Sequence, residues 1–234
     1  MTDDAELTGL NPFDLLDDEA ARLDSHFAAL PEVGWARASR CQGWSSRDVL
    51  GHLTSSEDYN RACLDGTVRA FMEELGIRGA TDLDSANALG VADLAGLSPE
   101  EVLARWREAC ADNRRRFRER GDGLIDSSVG DYQCRWQAFH LASELATHAD
   151  DIGVPVTPEE RDARRAWRAR FSRFALAEAK PDLALHREEG RTRVSGQGLA
   201  VDVDDDELVA AVAGRLDDTS PLPATARALL STMG

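Results

Sequence analysis

Apolar residues recur every three or four positions along five stretches of the chain, which is the period of amphipathic α-helices. Several stretches open with a capping pattern, such as Ser45 with Asp48 three residues later. Proline or glycine follows where the periodicity ends. The pattern predicts five helices, over about residues 11–30, 45–75, 98–120, 134–152 and 157–179.

The pattern changes beyond Pro181, where apolar and polar residues alternate between glycine-containing turns. This alternation predicts two or three short antiparallel strands, followed by a helix ending at Gly214-Arg215 and a last helix over about 223–232. The glycine-rich residues 76–97 predict a long connection with some helix of its own. We therefore expect a mainly α fold, with a four-helix bundle in residues 1–156 and a small α+β domain in residues 157–234.

Composition and charge narrow the choice of partner. The 234 residues are 42% hydrophobic, enough to bury a core, and 43 acidic against 27 basic residues give a formal net charge of −16. Nucleic acid and anionic lipid both attract basic surfaces, so we expect neither as a partner. No stretch approaches the roughly 20 apolar residues of a membrane span, and the N-terminus is acidic where a secretory signal is basic. We expect a cytoplasmic protein, as a monomer or small homo-oligomer.

The four cysteines are scattered and none belongs to a C-x-x-C pair. This distribution favours thiols in a reducing compartment over a disulfide framework or a structural zinc knot. Cys41 alone lies near a predicted helix start, where a thiol meets a positive potential. We interpret Cys41 as a structural residue.

Candidate chemistry lies on the fourth and second predicted helices. His140, Glu144 and His148 follow one another at four-residue spacing, so they share one side of their helix. His52 lies between Leu50 and Leu53 and is predicted to face the bundle interior. A carboxylate buried among apolar neighbours is costly unless a cation offsets its charge.

Two histidines and one carboxylate form the ligand type of a catalytic zinc site, which keeps its fourth position open. His52, Glu144 and His148 are therefore predicted to bind one divalent metal ion. Residues near the ligands would orient the imidazoles. These candidates are Asp150, Asp151, Ser56 and Glu57. From the residues alone, two other interpretations remain open. His140, Glu144 and His148 could form a solvent-exposed helix face whose side chains bond one another, and His52 could be an ordinary hydrogen-bonded core residue.

Two segments carry a family resemblance. The segment from Arg40 to Leu53, RCQGWSSRDVLGHL, resembles the C-x-G-W-[ST]-x-R-D segment and following histidine of mycothiol-dependent maleylpyruvate isomerase-like proteins, a branch of the DinB-like metalloenzymes. The segment from Glu144 to Gly153, ELATHADDIG, resembles that family's E-x-x-x-H-A-x-D segment. The arginine-rich composition also agrees with an actinobacterial origin, where mycothiol is the main small thiol.

The resemblance implies a DinB-like bundle whose metal ligands fall on His52, Glu144 and His148. It also implies that Arg215, in an A-G-R element near the C-terminus, helps to hold a carboxylate substrate. His140 lies outside the family's ligand set, and we expect it either to line the pocket or to be a bystander. Asp150 also stands where the family often has tryptophan.

The resulting hypothesis is a mycothiol-dependent S-transferase or cis–trans isomerase. It would use a metal-bound thiolate, with zinc as the expected metal and mycothiol as cosubstrate, on a small electrophile such as maleylpyruvate. The alternatives are a metal-dependent hydrolase that activates water, a metal-binding module without catalysis, and a protein without metal.

Overall fold

Capping side chains fix the helix starts in the computed structural model, which describes residues 4–232. Asn11 accepts a hydrogen bond from the N–H of Phe13 at 3.1 Å, and the Asp48 carboxylate accepts one from the N–H of Ser45 at 2.9 Å. The helices in chain order are α1 (Pro12–Ala29), α2 (Glu32–Trp35), α3 (Ser46–Asp65), α4 (Val68–Ile77), α5 (Leu83–Asp93), α6 (Pro99–Arg120), α7 (Cys134–Asp151), α8 (Pro158–Ala179), α9 (Asp205–Val212) and α10 (Ala224–Leu230). Within residues 4–232, no helix has both the length and the apolar character required to cross a bilayer.

Helices α1, α3, α6 and α7 form a four-helix bundle. Helix α1 packs against α6 and α7, and α3 packs against α6. Phe27 stacks on Trp35, with ring centroids 5.7 Å apart, and meets Trp106 edge-on at 6.1 Å. The largest fully buried side chains include Trp106, Phe27, Phe117, Phe139, Leu50 and Leu145. The prediction of a mainly α fold built on a helical bundle is confirmed.

The prediction of a single helix over residues 45–75 is wrong, because the helix is interrupted at Gly66. Helix α3 ends there, and Gly66 takes a left-handed conformation with φ of 72°. Helix α4 then starts at Val68, whose N–H donates to the side chain of Asp126 at 3.2 Å. Asp126 adjoins a short hairpin of β1 (Leu124–Ile125) and β2 (Tyr132–Gln133) that the sequence pattern did not predict.

The C-terminal part holds a three-stranded antiparallel sheet, in the order β3-β4-β5. The strands are β3 (Ala184–Glu188), β4 (Arg191–Gly196) and β5 (Leu199–Asp204). Buried Val194 pairs with Leu185 on one side and Val201 on the other. Helix α9 packs on α8 and on the sheet.

The contacts between residues divide the chain into two compact units. One unit is Asn11–Val154, and the other joins the chain from Pro155 onward to the N-terminal residues through Leu10. In the second unit, Arg173 on α8 bonds Glu6 at 2.9 Å, which fastens the N-terminal segment to that helix. The domain boundary predicted between residues 156 and 157 stays a prediction.

Candidate metal centre

Three side chains meet between α3 and α7 inside the bundle. His52 lies on α3, whereas Glu144 and His148 lie one turn apart on α7. Nε2 of His52 is 2.8 Å from Oε1 of Glu144, and Nε2 of His148 is 3.1 Å from the same oxygen. The two imidazole centroids are 4.7 Å apart. One carboxylate oxygen therefore contacts two imidazoles from different helices.

The helix faces explain why these side chains point inward. His52 lies one turn after the fully buried Val49, and it is only 4% exposed. His148 is likewise 4% exposed, next to the buried Ala149. The side chain of Glu144 is 29% exposed. The histidines are thus fixed in the core, while the carboxylate stays partly exposed.

The charges of the cluster are strongly coupled. Burial disfavours the charged form of Glu144, but the charge and hydrogen bonds of His148 and His52 outweigh burial and hold the pKa of Glu144 well below its ordinary value. Burial likewise disfavours a charged His148, yet Glu144, Asp151 and Cys41 hold its pKa well above the ordinary value. The cluster therefore favours an anionic Glu144 beside a protonated His148. A metal cation can replace the proton of the imidazole and balance the negative charge of the carboxylate.

The other nitrogen of His148 contacts Asp151, the last residue of the same helix, and Cys41 from a distant segment. Its Nδ1 lies 3.0 Å from Oδ2 of Asp151, whose side chain is fully buried. The thiol of Cys41 donates to the same carboxylate oxygen at 3.1 Å and lies 3.6 Å from Nδ1 of His148. The N–H of Arg40 bonds the carbonyl of Asp151 at 3.0 Å, which fixes this segment against the end of α7. Asp151 thereby orients the His148 ring with Nε2 toward the cluster.

The ring of His52 is positioned by packing. Trp44 lies against it, with centroids 5.2 Å apart. Nδ1 of His52 is buried and has no hydrogen-bond partner among the described residues. The hydroxyl of Ser56 donates instead to the backbone carbonyl of His52, and the carboxyl group of Glu57 accepts from Asn113. The prediction that Ser56 or Glu57 orients this imidazole is therefore wrong.

The donor set fits a divalent metal ion. One ligand atom from each of His52, Glu144 and His148 lies within 4.8 Å of the others. Two imidazole nitrogens and a carboxylate oxygen match the three-ligand pattern that leaves a fourth position for water or substrate. Ligand atoms of a second group, Cys41, His148 and Asp151, also lie within 4.8 Å of one another. In this group the nitrogen of His148 that contacts Asp151 is Nδ1, whereas Nε2 faces Glu144.

The segments that carry these three side chains are similar to a known protein family. The family model described as the mycothiol maleylpyruvate isomerase N-terminal domain matches residues 16–153. The chain belongs to this family. The match spans α3 and α7, so all three convergent residues lie inside the family domain. A comparison with curated proteins finds no match.

Two solved structures share the fold of this family member. A crystal structure of the mycothiol-dependent maleylpyruvate isomerase has a TM-score of 0.64 at 15% identity, covering 95% of this chain and 98% of that one. A crystal structure of a histidine-to-alanine mutant of the mycothiol-dependent maleylpyruvate isomerase has a TM-score of 0.63 at 14% identity, with the same coverage. The likeness extends over both compact units, so a bundle followed by a small α+β part is confirmed.

The other two predicted site residues of this family member are His140 and Arg215. His140 is one turn before Glu144, and its Nε2 lies 3.0 Å from the hydroxyl oxygen of Tyr132. Half-buried Arg215 follows α9 in the other compact unit, where its Nη1 bonds the carbonyl of Ala213 at 3.1 Å.

Sequence reasoning missed the place of Cys41, which we expected to be structural and which lies beside His148 and Asp151. All four cysteines carry thiols. The available signal was its position in the C-x-G-W segment, because that segment also leads into the helix of His52.

Proposed function

We propose that this chain is a metal-dependent mycothiol S-transferase or cis–trans isomerase that acts on a small electrophile such as maleylpyruvate. The observation that carries the proposal is the convergence of His52, Glu144 and His148 in a chain of the mycothiol maleylpyruvate isomerase family. The family name supports both the thiol and the type of electrophile. The cytoplasm, where small thiols stay reduced, is the proposed location.

The proposed metal is zinc, held by His52, Glu144 and His148. A divalent ion in this place would lower the pKa of a bound thiol, so that thiolate forms near neutral pH. The chain's own residues prepare the site for it. Asp151 fixes the ring of His148, Trp44 packs on His52, and the anionic Glu144 supplies the negative charge that a cation requires.

The proposed reaction begins when the thiolate sulfur forms a bond to an unsaturated carbon of the electrophile. The displaced π electron pair moves toward a neighbouring carbonyl group, which leaves a single bond free to rotate. Return of that pair and loss of the thiolate then give the other geometric isomer. In a transferase, the sulfur instead stays bound to carbon, and the carbon that received the electron pair takes up a proton from water, which replaces the one that the thiol released. Arg215 is proposed to bind the substrate carboxylate, which a guanidinium group can hold with two hydrogen bonds.

The proposal is tested by metal analysis combined with product analysis. We expect about one zinc ion per chain by elemental analysis, and a lower melting temperature after chelation, because a metal that binds only the folded state stabilises it. Mass spectrometry after incubation with mycothiol and maleylpyruvate should detect the isomerised acid or a thiol adduct. The double variant His52→Ala/His148→Ala should contain no zinc and form no product.

The variant His186→Gln is the matched control, since the side chain of His186 is 75% exposed on β3. It should keep its metal and its activity. Turnover of an ester or amide without added thiol would favour a hydrolase. A metal-loaded protein that converts no electrophile would favour a non-catalytic module, and a double variant that keeps its zinc would refute the ligand assignment.

A further inference from the structure

Side-chain hydrogen bonds connect α3 to α7 at two places along the bundle. His52 meets Glu144 at the candidate metal centre, and Nε2 of Gln137 donates to Oδ1 of Asn60 at 3.1 Å. Helix α3 packs on α6 and α7 packs on α1, whereas the backbones of α3 and α7 lie further apart along the described chain. We call the strip between these two bonds, which includes Ser56 on α3, the polar cleft.

The polar cleft is partly exposed and about two helical turns long. Gln137 comes seven residues before Glu144, so both lie on one side of α7, separated by a rise of about 10 Å. Asn60 likewise follows His52 by about two turns on α3. Gln137 and Ser56 are partly exposed, as is Glu144. A ligand bound at the metal centre therefore has to extend about 10 Å along the cleft to reach Gln137.

The orientation of the two amide groups is fixed by a backbone carbonyl. Asn60 is only 3% exposed, and its Nδ2 donates to the carbonyl of Ser56 at 2.9 Å. The oxygen of Asn60 consequently faces Gln137, which has to meet it with an N–H. The second N–H of Gln137 and its Oε1 have no hydrogen-bond partner among residues 4–232. Gln137 thus presents one donor and one acceptor, side by side, to a ligand in the cleft.

The chemistry of the polar cleft suits an uncharged ligand. Ser56, Asn60 and Gln137 carry no charge, whereas an acidic electrophile is held best by a cationic side chain. A donor beside an acceptor suits amide and hydroxyl groups, each of which can both donate and accept. In mycothiol, the N-acetylcysteine that carries the thiol is joined through an amide to two hydroxyl-rich rings, which lie several bonds from the sulfur. The thiol therefore has the length and the polar groups that match the cleft, and a small electrophile does not.

We propose that Gln137, positioned by Asn60, binds the hydroxyl-bearing rings of the thiol cosubstrate while the sulfur lies at the metal centre. This inference rests on the proposed function and names the residue that selects the thiol. Gln137 contacts the cosubstrate, whereas Asn60 is a positioning residue that fixes the Gln137 amide. No covalent bond is made or broken at this place. The effect of Gln137 therefore appears in the binding of the thiol and not in the chemical step.

The test separates the binding of the two substrates. Gln137→Leu keeps a side chain of similar size but removes the donor and the acceptor, so KM for mycothiol should rise about 10-fold. Its kcat at saturating mycothiol, its KM for maleylpyruvate and its zinc content should match those of the wild type and of the control variant His186→Gln. Asn60→Ala leaves the donor and acceptor of Gln137 in place but no longer fixed, so KM for mycothiol should rise less, about 3-fold.

Calorimetry adds a readout besides activity. S-methyl mycothiol, which cannot form a thiolate, should bind Gln137→Leu about 10-fold more weakly than the wild type. Unchanged binding in this variant, or a KM for maleylpyruvate that rises as much as the KM for mycothiol, would overturn the inference while the proposed function stands. A zinc-loaded wild type that forms no product from mycothiol and maleylpyruvate would overturn the proposed function, and this inference with it.

Discussion

Two carboxylates in the same helical bundle have opposite preferences for charge. Glu57 on α3 is fully buried, and burial raises its pKa even though Asn113 donates a hydrogen bond to it at 2.8 Å. Burial also acts on Glu144, but the imidazoles of His148 and His52 outweigh it, and the pKa of Glu144 is lowered. The helices that carry the two residues belong to one core.

The difference shows that partners, and not burial alone, decide whether a carboxylate in this core keeps its charge. Glu57 meets the neutral amide of Asn113, and its Oε1 has no hydrogen-bond partner among the described residues. Among residues 4–232, it belongs to neither group of side chains that could hold a metal. Glu144 meets two imidazole nitrogens and keeps its charge. Three predictions test this contrast, from the largest effect to the smallest.

Replacing Glu144 should have the largest effect. The variant Glu144→Gln keeps the shape of the side chain but removes the negative charge that a cation requires, so its metal affinity should fall at least about 100-fold. Zinc content after dialysis measures this. The matched variant Glu57→Gln should keep about one zinc ion per chain. Full zinc occupancy in Glu144→Gln would contradict this contrast, because the charge of Glu144 would then not be needed for metal binding.

Replacing Asp151 should have an intermediate effect. Asp151→Asn leaves the metal ligands in place but weakens the contact that orients His148, so metal affinity should fall about 10- to 100-fold. Competition with a chromogenic chelator gives the affinity. Asp162→Asn, at a carboxylate that is 83% exposed on α8, is the control. An unchanged affinity in Asp151→Asn would show that packing alone orients the His148 ring.

Replacing Glu57 should change stability only slightly, with a definite dependence on pH. Because the folded-state pKa of Glu57 is raised above its ordinary value of 4.5, ionisation disfavours the folded state as pH rises above that value. Glu57→Gln removes this cost. Its free energy of unfolding should exceed that of the wild type by on the order of 1 kcal/mol at pH 8, with the gain disappearing below about pH 4.5.

Urea unfolding at several pH values measures this gain. The measurement uses metal-free protein, so that metal binding does not contribute to stability. A gain that grows as pH falls would contradict the sign of the shift, and Glu57 would then be a stabilising anion like Glu144.

The sequence predicted those features that depend on near neighbours. Capping pairs such as Ser45 with Asp48 act across three residues, so the helix starts were predictable. The alignment of His140, Glu144 and His148 on one helix follows from the helical period. The break at Gly66 was missed because the periodicity continues through it, and the cap on Val68 comes from Asp126, 58 residues away.

The sequence pattern therefore predicted a mainly α chain with a row of ligand-type side chains on one helix. The family resemblance selected two members of that row, Glu144 and His148, together with His52. Which groups touch depends on how the chain folds: His52 contacts Glu144, 92 residues away in sequence, and Cys41 contacts Asp151, 110 residues away. Folding also brings Tyr132 to His140. It buries Glu57 so that the pKa of Glu57 rises, and it places two imidazoles beside Glu144 so that the pKa of Glu144 falls. The physical reason is that helical period and capping act over a few residues, whereas desolvation and charge pairing depend on every group that folding brings near.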